Sequence, residues 1–148
     1  MIHRDRETFI SYRELLSRSA QKCTQAGLSV MAHVAQARPP YREAMILVAR
    51  EERELGVKLE GYAEKSSANV ICTRLQYKPE EGELPTPRSP DAALQNVTQV
   101  NRELGAILQD LADKSAPDTV YESLDAIRQN IDTVNKRISM ILLTAQDV

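Results

Sequence analysis

A chain of 148 residues has the length of one domain and can bury a core without disulfide or metal staples. It is 42% hydrophobic and 27% charged, and its net charge of −2, with both signs interspersed, excludes a basic field that would collect nucleic-acid phosphates. One Phe, five Tyr and no Trp leave an aliphatic core and few platforms on which single-stranded nucleic acid could stack.

The first residues, Met1 to Glu7, are charged at once and have no apolar signal-peptide region, so a cytoplasmic protein is expected. The longest apolar run, Ala44 to Ala49, is far shorter than a membrane span, and no membrane contact is expected. Cys23 and Cys72 form neither a disulfide framework nor a metal knuckle and read as small buried thiols.

Four helices are predicted. The first covers about 5–37, with Asp5 as N-cap and Phe9, Tyr12, Leu16, Ser19, Cys23, Ala26, Val30 and His33 on one seam. Gly27 is a point where it could bend or divide. Arg38-Pro39-Pro40 ends it, because the residue before Pro avoids the helical region and Pro has no N–H to donate. The second helix covers about 41–65 with the seam Tyr41, Met45, Val48, Glu52, Leu55, Leu59 and Tyr62. Residues 68–77 fit a short helix or an extended strap, and 78–90, with four prolines, is loop. Ser89-Pro90-Asp91 opens the third helix, about 90–113, as N-cap, first position and acidic first turn. Its seam is Leu94, Val97, Asn101, Leu104, Leu108 and Leu111. The fourth, about 117–146, opens on a capping-box pattern at Ser115 and Asp118. Its seam of Val120, Leu124, Ile127, Ile131, Val134, Ile138 and Ile141 runs in steps of four and three, a period no strand can use.

Short corners make helices one and two, and three and four, antiparallel hairpins. The crossover of about 24 residues at 66–89 is far longer than a bundle turn needs and can span a helix of about 37 Å. The predicted fold is therefore an all-α, ferritin-like four-helix bundle in one domain, 1–148.

Three polar residues interrupt the seams: His33, Glu52 and Asn101. They are the candidate ligand-binding residues of a pocket inside the bundle. The structural alternative places Glu52 at the rim with its carboxylate in solvent, His33 in solvent at a helix end, and Asn101 as a register-setting core amide. A di-iron site needs Glu-x-x-His on two helices. Only His3 and His33 exist, and Val30 stands three before His33, so no metal ligand set is expected. Gly-x-Ser-x-Gly and Gly-x-x-x-x-Gly-Lys are missing, so no catalytic residue and no cofactor is assigned. Glu80, Glu81 and Glu83 lack the alternate-oxygen spacing of a calcium loop, and Asn96-Val97-Thr98 lies inside a helix.

The segments Glu51-Glu52-Arg53-Glu54-Leu55, Leu59-Glu60-Gly61-Tyr62-Ala63 and Leu75-Gln76-Tyr77 resemble the second helix and strap of small bacterial ferritin-like proteins. The resemblance covers mainly 40–77 and implies a ferritin-like bundle without the carboxylate–histidine ligands. Glu52 falls where such a family would place a helix-two ligand, but position 55 is Leu55 and not His.

These readings lead to a non-enzymatic helical interaction or assembly module, a homodimer or a binder of a helical protein. Ile46, Leu47, Val57, Leu142 and Leu143 widen the apolar stripes beyond what one bundle contact uses. The rivals are a degenerate ferritin-like protein holding a metal or small ligand near Glu52 and His33, and a coiled-coil adaptor or secretion chaperone.

Overall fold

The computed structural model describes residues 8–65, 74–77, 86–114 and 118–146. The elements are β1 (Thr8–Ser11), α1 (Tyr12–Ala32), a 3-10 turn (Val34–Gln36), α2 (Tyr41–Lys65), β2 (Arg74–Tyr77), α3 (Pro90–Lys114) and α4 (Asp118–Gln146). The protein is an all-α bundle with one short β-ribbon.

Three helices lie where the apolar period puts them. The first starts later than expected. Residues 8–11 form a strand, and Ser11 is the N-cap, its Oγ accepting from the Glu14 N–H at 3.1 Å. Thr-Phe-Ile suits an extended chain, and Ser11-Tyr12-Arg13-Glu14 is itself a capping-box pattern. Asp5 lies outside the described residues. The helix also stops at Ala32, where the N–H of His33 turns back to Val30 and Met31, and one 3-10 turn leads to the corner. At the third helix, Ser89 Oγ accepts from the Ala92 N–H at 3.1 Å, as a cap should. The pattern at Ser115 falls outside the described residues.

Of 68–77, residues 74–77 are the extended form. β2 pairs antiparallel with β1, Ser11 opposite Arg74 and Thr8 opposite Tyr77, and lies against α3. Residues 68–73 are outside the described residues.

Side-chain contacts fix the helix directions. Tyr12 at the start of α1 hydrogen-bonds Ser123 near the start of α4, so these two helices run the same way. Tyr41 at the start of α2 donates to Asp91 at the start of α3 at 2.7 Å, so these two also share a direction. α1 packs on α2 and α3, and α4 packs on the same two, which leaves α1/α4 and α2/α3 as diagonals. The order is up, down, down, up. α2 ends at the opposite end of the bundle from where α3 begins.

Gly27 does not break α1. A Cβ there would stand 3.2 Å from the Ala49 carbonyl oxygen of α2, and one at Gly56 would stand 3.0 Å from Thr24 Oγ1 and 3.2 Å from the Ala20 carbonyl oxygen of α1. The two glycines bring α1 and α2 close together along their middle. The seams of all four helices meet in one aliphatic core that includes Leu16, Met45, Leu59, Leu108, Leu124 and Ile127.

Candidate functional site

Each helix brings one polar residue from near its midpoint, three from the seams and one from beside a seam, and the four meet. Cys23 comes from α1, Glu52 from α2, Asn101 from α3 and Asn135 from α4. Asn101 is the hub. Its Nδ2 donates to Glu52 Oε1 at 2.8 Å and to Asn135 Oδ1 at 3.0 Å, while its Oδ1 faces the Cys23 Sγ at 4.0 Å. Both amide hydrogens are thereby used.

Glu52 is not at the rim. It is 0% exposed, and its Oε2 has no hydrogen-bond partner. The reason is the helix phase: Glu52 falls between Val48 and Leu55 on the buried side of α2, level with Gly27, and a side chain this short of freedom has no route to solvent. Burial pushes its carboxyl up to about 7; the Asn101 amide and the neighbouring Cys23 thiol favour the charged form and offset part of that rise. Burial, reinforced by the Glu52 carboxylate, also drives the Cys23 thiol far up, so it is neither a ready nucleophile nor a ready thiolate ligand.

The other sequence candidates separate. Asn101 is buried, at 1% exposure, and contacts Glu52 directly. His33 is half-buried at the end of α1 with Nδ1 2.9 Å from the Ser29 carbonyl oxygen, about 9 Å further along the helix than Gly27 and apart from Glu52. Asn135 follows Val134, one position off the seam, and is half-buried, so the apolar period does not mark it. An Asn beside a seam at the level of another seam Asn was the available signal.

Among the described residues, no three His, Cys, Asp or Glu side chains come together as a metal cluster. The layer holds one carboxylate, one thiol and two carboxamides, a donor set that does not fit a di-iron carboxylate centre. Chemically it is a buried hydrogen-bond network with a proton-binding site at Glu52. No protein-family model, curated protein or solved structure matches the chain. Among the described residues, no helix is long and apolar enough to cross a membrane.

A second feature lies outside the core. Leu28 and Met31 of α1, Leu47 and Val57 of α2, and Met140 and Leu143 of α4 are exposed. Leu28 and Met31 join Thr24, Gly27, Ile46 and Ala49 in an open groove of about 460 Å³ between α1 and α2, with Arg50 and Arg53 along it.

Proposed function

We propose that the protein is a non-enzymatic helical assembly module on a ferritin-like scaffold, acting through its α1–α2 flank and associating with a second copy of itself. The up-down-down-up order and the long crossover support the ferritin-like scaffold. The observation that carries the assembly reading is the flank itself: Leu28 is 63% exposed and Val57 67% exposed on adjacent antiparallel helices, beside an apolar-floored groove. The polar layer supports it from inside. A buried amide hub satisfied by three helices specifies which helix faces which, and so presents the flank in one arrangement.

Sedimentation equilibrium of the full chain tests this reading. A mass that rises with concentration from monomer to dimer is expected, with Leu28→Ser weakening the association. A monomer mass at every concentration refutes it.

A second reading, a small ligand or metal held in the core, draws on the unpartnered Glu52 Oε2. Metal analysis of protein purified without added metal tests it: one tightly held ion per chain, lost in Glu52→Ala, would establish it.

A further inference from the structure

The outer edge of α2 carries Ile46, Arg50, Arg53, Val57, Glu60 and Glu64 at steps of four and three, so they form one stripe. The stripe is ordered by charge: two arginines, a valine, two glutamates. All five of these are exposed, and among the described residues none of the four charges is in an ion pair. The arginine half borders the groove whose floor is Gly27 and Ala49, small residues that leave it open.

A two-fold axis perpendicular to α2 reverses the direction of the helix. Placed at the level of Val57, it sets Glu64 of one copy over Arg50 of the other and Glu60 beside Arg53, and the exchange happens twice. The same operation brings Val57 of each copy against Val57 of the other, at the axis. The stripe is thus its own complement, an apolar centre with arginines on one side and carboxylates on the other. A foreign acidic helix would match only the groove half and would leave Glu60 and Glu64 facing like charge.

The size of the face matches a small interface. α1 has 21 residues and α2 has 25, so the face they share is about 31 Å long and about 20 Å wide. That is a footprint of roughly 600 Å² per copy, at the lower end of the roughly 600–1,000 Å² per partner of stable interfaces.

We infer that two copies of this chain pair isologously through α2, Val57 meeting Val57 at the two-fold axis, with Glu64 and Glu60 of each copy closing on Arg50 and Arg53 of the other. The inference rests on the assembly reading and specifies its partner and register.

Charge reversal with rescue tests it, read by sedimentation on the full chain with helical circular dichroism as the control for folding. Val57→Asp, Arg53→Glu and Glu60→Arg should each raise the dimer dissociation constant at least tenfold without loss of helix, since all three side chains are exposed. The double variant Arg53→Glu/Glu60→Arg, which restores opposite charges across the axis, should recover most of the wild-type association. A dimer indifferent to all three single changes overturns the α2 interface while leaving self-assembly standing. Single changes that dissociate the dimer with no rescue in the swap overturn the two-fold register. A wild-type chain that never dimerises removes the assembly reading along with this one.

Discussion

The Asn101 amide donates to Glu52 Oε1 at 2.8 Å across the bundle diagonal, joining α3 to α2, two helices that otherwise scarcely touch. A buried carboxylate is costly unless it is paired or protonated. Here it has one amide hydrogen bond, one unpartnered oxygen and, among the described residues, no ion-pair partner, and burial pushes its carboxyl up to about 7.

That position makes stability depend on pH near neutrality. The folded carboxyl, at about 7, lies above its ordinary value of 4.5, so the folded state holds the proton more tightly than the unfolded chain. The stabilising contribution of the neutral acid is complete below 4.5 and is lost as pH rises through 7. Urea melts between these two pH values should show a loss on the order of 3 kcal/mol as pH rises. Glu52→Gln, which cannot ionise, should abolish that slope. A slope that persists in Glu52→Gln would assign the titration to another group.

The hub and its acceptor should couple strongly. Asn101→Leu removes the donor to a buried carboxylate and should cost about 3 kcal/mol at pH 8, where Glu52 is ionised. Because that hydrogen bond favours the charged form, losing it should also move the Glu52 carboxyl further up. The double variant Glu52→Leu/Asn101→Leu replaces both partners by apolar groups and should be far less destabilised than the sum of the single changes. Additive losses in a double-mutant cycle would mean that the two residues do not act as a pair.

Neighbouring positions on α4 should differ sharply. Ile131 is 2% exposed in the core, and Asp132 points outward, 3.9 Å from Lys136 Nζ. Ile131→Asp should unfold the domain or cost several kcal/mol by burying an unpaired charge. Asp132→Ala should change stability by less than about 0.5 kcal/mol. Equal shifts in thermal melts would contradict the phase of α4.

Glycine substitutions should separate by location. Gly61 and Gly105 have nothing within 4 Å of an added Cβ, so Ala at either should stabilise by about 0.5–1 kcal/mol through helix propensity. Gly56→Ala gains the same propensity but puts a methyl 3.2 Å from the Ala20 carbonyl oxygen, forcing α1 and α2 apart. A net loss of about 1–2 kcal/mol is expected there by chemical denaturation. Stabilisation at Gly56 would show that the helix pair opens at little cost.

The helices were legible because their stabilising interactions are periodic and local. A seam such as Leu94, Val97, Leu104, Leu108 and Leu111 declares both the helix and its buried side, and all five are buried. The same period carried Glu52 and Asn101 to the core. What it did not reveal was their meeting: hydrophobicity alone argued for sending Glu52 to the rim, and only the three-dimensional packing shows an amide of α3 within reach. The start of α1 shows a different limit. Phe9 keeps the heptad spacing and drew the helix too far forward, whereas Ser11 with Glu14 marked the true cap.

From its sequence alone this chain is an all-helical bundle with a long connection between two hairpins, because 3.5-residue apolar spacing and proline corners act over a few residues. The tertiary structure decided the rest. The Tyr12–Ser123 and Tyr41–Asp91 contacts set the helix directions, Gly27 and Gly56 set the closeness of α1 and α2, and Cys23, Glu52, Asn101 and Asn135 converge from positions up to 112 residues apart. Those relations depend on which helix lies beside which, and no local period in the chain encodes that.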